Sequence, residues 1–170
     1  MEETIKLAVK KSNWGNATEG TYQGFSAYYS HNTHVAEVAD VVMKNGMPLV
    51  KKVTVAVDCG IVVNPLGAKN QVEGGVIDGI GHAMYGDFSF KEGTPQADNF
   101  DNYRLIRMQE TPEVSTHFVE SGLSPTGLGE PGLPPAGGAV ANAIHTATGE
   151  RLLKQPFINE LEMSKSKILG

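Results

Sequence analysis

The sequence predicts an α+β fold, a mostly antiparallel sheet with two main helices packed on it. Two observations carry that reading. Three β-prone segments follow one another between residues 21 and 58, and two later segments repeat their apolar residues at helical spacing. Strands grouped in a run, with helices placed after them, belong to α+β architecture rather than to a regular alternation of strand and helix.

The elements follow in chain order. Residues 2–10 form a short amphipathic helix with Ile5 and Val9 on one face, and Asn13 to Gly20 is polar and loop-like. "TYQGFSAYYSH", Thr21 to His31, is aromatic and β-prone, and "THVAEVADVVM", Thr33 to Met43, reads as a second strand. Asn45-Gly46 is a strong hairpin signal, and "LVKKVTVAVDCG" follows as a third strand. Val53, Val55 and Val57 share one face there, and Lys52 and Thr54 the other. The three segments together predict an antiparallel meander.

Asn64-Pro65 is a helix start, with proline at or near the first helical position. Val72, Val76, Ile80 and Ala83 then recur at helical spacing. Gly74, Gly75, Gly79 and Gly81 sit in the same helix, each costing ~1 kcal/mol relative to alanine, roughly 4 kcal/mol in all. Close approach of another backbone or of a ligand is the usual compensation. The sequence therefore predicts a buried helix with one tightly packed glycine face.

Asp87 to Lys91 reads as a short strand, residues 91–104 as a turn-rich loop, and Glu113 to Glu120 as another strand. The Gly/Ser/Pro-rich stretch from Ser121 to Gly132 leads into a second helix striped by Ala136, Val140, Ala143, Ile144 and Ala147 and ended by Gly149. Arg151 to Pro156 reads as a last strand, and the sequence from Asn159 as a polar tail. The domain division that follows is an N-terminal helix and linker over 1–20, the main domain over 21–158 and the tail over 159–170.

Composition narrows the function. A net charge of −5 argues against a broad basic face for nucleic acid, and no apolar run approaches the ~20 residues of a membrane span. The charged N-terminus lacks the basic start and apolar stretch of a secretion signal, so a cytoplasmic location is expected, or a periplasmic one if a parent chain carries a signal. Cys59 is the single cysteine, which leaves neither an internal disulfide nor a cysteine cluster for zinc or iron–sulfur. His31, His34, His82, His117 and His145 form no ligand pattern with acidic residues, so no metal ligand is assigned. The glycines of "GIGHAMYG" have the wrong spacing for a dinucleotide fingerprint, and no phosphate-binding loop pattern occurs.

Two stretches remain as candidate chemistry. In "GLGEPGLPPAGGAVANAI", Gly127 to Ile144, the glycines permit unusual backbone geometry and Glu130 stands where a helix is about to open. The helix dipole favours a carboxylate there, so a charged cap and a catalytic base are equally good readings of Glu130 on the residues alone. In "QVEGG", Gln71 to Gly75, an amide, a carboxylate and two glycines occupy the first turns of a helix, where they can meet the polar edge of a ligand or simply face solvent.

Taken together, "VAVDCGIVVNPLGAKNQVEGGVIDGIGHAMYG", "NFDNYRLIRMQETPEV" and "GLGEPGLPPAGGAVANAI" resemble the molybdenum hydroxylases, the xanthine dehydrogenase/aldehyde oxidase family. The likeness is to the C-terminal part of the large (β) subunit of isoquinoline 1-oxidoreductase-like enzymes and covers roughly residues 20 to 158. It implies a molybdopterin cofactor, as the cytosine dinucleotide in bacterial members. It also implies hydroxylation of N-heteroaromatic compounds or aldehydes with oxygen drawn from water. Glu130 aligns with the family's catalytic glutamate in "GxGE", which takes the proton from the Mo–OH group while hydride passes to a sulfido ligand. Gln71 matches a cofactor-bonding residue in "QxEG", and Gly74, Gly127 and Gly129 are the glycines expected against the cofactor.

Large subunits of that family are several times longer, and their upstream half supplies much of the cofactor cradle. The expectation is therefore a portion that binds no cofactor alone and acts only with the missing upstream half of the large subunit and with an iron–sulfur small subunit. The alternative is a non-catalytic domain that keeps the fold and self-associates as a homo-oligomer.

Overall fold

Strand β2 (Thr33–Lys44) explains why the fold needs three layers. Its residues Val35 to Ala39 are buried without interruption, so both faces of the strand are covered. In this computed structural model, which describes the backbone of residues 1–168 and side chains through Glu162, β2 lies inside a four-stranded sheet. The order is β1 (Thr21–Ser30), β2, β3 (Met47–Asp58), β6 (Glu113–Phe118). A separate two-residue hairpin, β4 (Phe90–Lys91) with β5 (Thr94–Pro95), stands apart from it.

The predicted meander is present. β1, β2 and β3 pair antiparallel, Ser30 opposite Thr33 at one turn and Lys44 opposite Met47 at the other. Asn45-Gly46 takes the left-handed conformations of a two-residue hairpin turn, and His31-Asn32 does the same at φ 52° and 59°. β6 departs from the antiparallel expectation by pairing parallel to β3, Lys52 opposite Glu113 through Val57 opposite Phe118. Parallel neighbours require a long crossover. Helix α2 (Pro65–Met84) and the loop to Pro112 supply it.

One face of the sheet carries α1 (Glu2–Ser12), whose Ala8, with Ile5 and Leu7 beside it, meets Ala36, Val38 and Ala56. The other face carries α3 (Pro134–Thr148), with α2 packed against α3 and β6. Val72, Val76, Ile80 and Ala83 of α2 are buried as the spacing predicts, and so are Ala136, Val140, Ala143 and Ile144 of α3. Ala147 of that stripe is only partly buried.

The glycine face of α2 is a packing device at its C-terminal half. A Cβ on Gly79 would collide with the Leu133 carbonyl oxygen and stand 3.1 Å from the Ala136 methyl, and one on Gly81 would stand 3.2 Å from Ile106. On the sheet side, a Cβ on Gly24 would overlap the α3 backbone at Ala139 and Ala143. Helix α3 is thus seated on bare backbone from both sides.

The C-terminal region differs from expectation. No strand forms at 151–156, because the N–H groups of Leu153 and Lys154 donate to the Glu160 carboxylate at 2.8 and 3.0 Å instead of to a sheet edge. The tail expected over 159–170 is helical through α4 (Phe157–Ile168), held by buried Phe157 and Leu161 one turn apart. The boundary at 158 therefore falls inside a helix, and residues 169 and 170 lie outside the described residues.

Among the buried polar groups of the described residues that lack a partner, one is a carboxyl. Glu37 is fully buried in β2, and neither carboxyl oxygen has a hydrogen-bond partner. Register places it in a cross-strand row with Ser26, Val55 and Thr116, and the Thr116 hydroxyl is also unpartnered. Burial pushes the Glu37 carboxyl well above the usual carboxylate range. The folded chain keeps a proton that the unfolded chain sheds, so this group's contribution to stability falls as pH rises through the ordinary carboxylate value toward the folded one.

Two outcomes are expected. Urea unfolding at pH 5 and pH 8 will show wild-type stability falling with pH, while Glu37→Met loses that slope and gains about 2 kcal/mol at pH 8. Gly24→Ala, which forces a methyl against the α3 backbone, will cost about 3 kcal/mol in the same measurement.

Candidate functional site

The site is assembled where the chain returns from β6 to α3. Residues 119–129 run back along the end of the sheet in a path fixed by backbone bonds. Val119 N donates to Val57 O at 2.8 Å, Thr126 N to Cys59 O at 2.9 Å, and Gly127 N to His31 O at 3.2 Å. Ile61 N donates back to Leu123 O at 2.9 Å. The loop therefore lies between the 59–61 segment and the β1–β2 turn, a placement that tolerates no bulk at Gly60 or Gly127. A Cβ on Gly60, which has φ +72°, would strike the Ser124 carbonyl, and one on Gly127 would stand 2.7 Å from the His31 Cβ.

Helix α2 closes the third side. Its start is built as the sequence predicts, with the Asn64 carboxamide accepting from Gly67 N at 3.0 Å and Pro65 in the first turn. Two turns in, Gln71 Nε2 donates to the Gly129 carbonyl at 2.6 Å. This bond spans 58 residues of sequence and joins the two stretches singled out as candidate chemistry. Beside it runs an open groove of about 380 Å³, lined by Cys59, Ile61, Val62, Val63, Asn64, Ala68, Gln71, Pro125, Thr126, Leu128 and Gly129. A groove of the same volume between α1 and the end of β6 contains none of the predicted site residues, so chemistry rather than size selects this one.

Glu130 follows Gly129 directly and is exposed, although it is not itself part of the groove lining. Its carbonyl accepts from Leu133 N at 2.9 Å, closing a turn before α3, and its carboxylate has no hydrogen bond or ion pair among the described residues. The helix opens at Pro134, directly after the stretch the sequence reads as leading into it, and its N-cap is Leu133 without a side-chain cap bond. The reading of Glu130 as a helix cap therefore fails on geometry: the carboxylate is too early in the chain and caps nothing.

The four other predicted site residues divide. Gln71, Gly127 and Gly129 come together around one loop, and Gly74 lies on α2 one turn beyond Gln71. Gly127 has a packing reason to be glycine in His31. Gly74 and Gly129 have none, because a Cβ at either would meet nothing within 4 Å. The backbone N–H groups of Leu128, Gly129 and Glu130 also have no acceptor among the described residues. Cys59, buried beside the groove, is pushed up by burial, so its thiol stays protonated and is no nucleophile. Among the described residues no group of three or more His, Cys, Asp or Glu could hold a metal ion.

Sequence reasoning missed Thr33 and Thr126. The Thr33 hydroxyl is fully buried, lies 2.7 Å from the Thr126 hydroxyl and donates to the Gly127 carbonyl at 2.6 Å. No local signal marks a contact across more than ninety residues of chain.

Comparison with known proteins identifies the class of domain to which this glycine-lined corner belongs. Residues 2–112 match the molybdopterin cofactor-binding domain family. The membrane-bound aldehyde dehydrogenase [pyrroloquinoline-quinone] of Gluconacetobacter polyoxogenes is 33% identical over 164 residues, covering 89% of this chain and 21% of that protein. Isoquinoline 1-oxidoreductase subunit beta of Brevundimonas diminuta is 30% identical over 167 residues, covering 95% and 21%. In fold, the chain is similar to quinoline 2-oxidoreductase from Pseudomonas putida 86, with a TM-score of 0.69 and 19% identity over 78% of this chain and 18% of that one. The chain belongs to the molybdenum hydroxylase (xanthine dehydrogenase/aldehyde oxidase) family as a molybdopterin cofactor-binding domain. It spans about a fifth of the length of the curated relatives it matches. No helix among the described residues is long and apolar enough to cross a membrane.

Gln71→Leu is expected to cost about 1 kcal/mol in chemical denaturation, the worth of one partly solvated hydrogen bond, because the Gly129 carbonyl can turn to water.

Proposed function

We propose that the chain is the C-terminal portion of a molybdopterin-dependent oxidoreductase that hydroxylates N-heteroaromatic compounds or aldehydes with water-derived oxygen, with Glu130 as general base. The observation that carries this reading is the Gln71–Gly129 hydrogen bond, which sets an amide, two glycines without packing partners and an unengaged carboxylate at one corner of the domain. These residues fit a large planar polar group. The space beside Gly74 and Gly129 is a cradle that a Cβ would narrow, and the N–H groups of residues 128–130 are donors awaiting acceptors.

When bound, the molybdenum cofactor, in its cytosine dinucleotide form, supplies the redox and oxygen-transfer chemistry. The chain's own part is narrower. Gln71 fixes the loop and presents its carboxamide to the cofactor. Gly74 and Gly129 let the cofactor approach backbone. Glu130 takes up the proton released when water-derived oxygen becomes a nucleophile, a task that suits a carboxylate with no competing cation.

The partners follow from length and surface. An upstream half of the large subunit would complete the cradle, and an iron–sulfur small subunit would remove electrons. Ile61 and Val63 of the groove lining are 55% and 81% exposed, and Leu66 and Leu123, in the neighbouring segments, are 70% and 63% exposed, apolar surface that such a half would cover. The same surface supports the second reading, a non-catalytic domain that self-associates. A strictly monomeric chain in light scattering would remove that second reading.

Co-purification with the upstream half is expected to yield stoichiometric molybdenum by elemental analysis. Glu130→Gln in that assembly should fold, retain the metal and lose about 10²- to 10⁴-fold in turnover. Full turnover in that variant would end the assignment of Glu130 as base.

A further inference from the structure

We propose that Thr33 is a positioning residue for Glu130, acting through the carbonyl of Gly127. Its catalytic consequence rests on the reading of Glu130 as the base, whereas its structural core does not. Thr33 is the first residue of β2, directly after the left-handed His31-Asn32 pair, and is fully buried. A hydroxyl carries one proton. Thr33 Oγ1 spends it on the Gly127 carbonyl at 2.6 Å, so the Thr126 hydroxyl, 2.7 Å away, is the donor to Thr33. The result is a directed relay, Thr126 to Thr33 to Gly127, at the base of the loop.

The relay has a counterpart. Gly127 and Gly129 are two residues apart in the loop, and their carbonyls are held by different elements, one by Thr33 of β2 and the other by Gln71 of α2. Glu130 is the next residue, so two side-chain bonds from different elements restrain where its Cα stands. The His31 Cβ adds a steric stop against Gly127, and Gly127 N is tied to the His31 carbonyl. A valine at 33 would preserve shape and lose the relay. A serine would preserve the relay.

The test uses amide hydrogen exchange across residues 124–133 of the 170-residue chain, with β2 and α3 as internal references. Thr33→Val should speed exchange of that loop roughly tenfold relative to the references, and Thr33→Ser should stay near wild type. Equal loop exchange in wild type and Thr33→Val, or equal acceleration in both variants, overturns the proposal. Should Thr33→Val fail to fold, Thr126→Val on the half-buried side of the relay should still speed exchange at Gly127 a few-fold, and no change there overturns it.

In the assembled enzyme, Thr33→Val should lower kcat with KM unchanged and Thr33→Ser should restore it. A change in KM alone overturns the positioning role. Glu130→Gln reports separately: full turnover there removes the base assignment, whereas the exchange result speaks only to Thr33.

Discussion

Helix α3 touches its neighbours through bare backbone, and the rest of the site depends on that closeness. Gly24 brings β1 against the α3 main chain, and Gly79 brings α2 against the carbonyl of Leu133 just before the helix begins. Side chains at either position would lift α3 away from the sheet or from α2. The loop before α3 must then span a fixed gap between β6 and a fixed helix start. Its path is constrained at both ends before any side chain in it is considered. This also resolves the energetic difficulty of glycines inside α2, since the helical propensity lost at Gly79 and Gly81 is offset by contacts that only glycine permits.

Five glycines of α2 and of the 127–132 loop consequently fall into two groups with different meanings. Gly79, Gly81 and Gly127 have protein atoms pressed against them, and their identity follows from packing. Gly74 and Gly129 face open space, so nothing among the described residues accounts for them. A helix that spends about 1 kcal/mol on an exposed glycine without a packing return has a reason outside its own fold. The two unexplained glycines flank Gln71 and Glu130, which is why the corner reads as a binding site and not as another tight crossing.

Much of this was legible in the sequence because it is local. Alternating valines mark β3, Asn45-Gly46 marks a hairpin, and Asn64-Pro65 marks the start of α2, each through short-range backbone chemistry. The parallel pairing of β6 was not legible, since the six residues of that strand carry no sign of which edge they join. The helical character of 157–168 was hidden by its polarity, and only Phe157 and Leu161, one turn apart, hint at the docked face. In the site, Gln71 and Glu130 stood out because their motifs are contiguous. The His31-Asn32 turn did not, because neither residue is the glycine usually found in that conformation, and Thr33 was invisible because its partners lie more than ninety residues away.

The surface around the groove carries the same division between what the chain does and what it leaves to others. A carboxylate exposed to water is a poor base, because hydration stabilises it and competing solvent dilutes its target. Glu130 is exposed here, next in the chain to a groove open to solvent and lined in part by Ile61 and Val63. The same apolar side chains that cost free energy when exposed would exclude water once covered, and the carboxylate would then meet its proton donor in a drier setting. On the proposed reading, geometry is supplied within this chain, by Thr33 and Gln71, while dielectric is left to whatever covers these apolar side chains. The two can be separated physically, because hydrogen bonds to Gly127 and Gly129 form without a partner and desolvation of Glu130 does not.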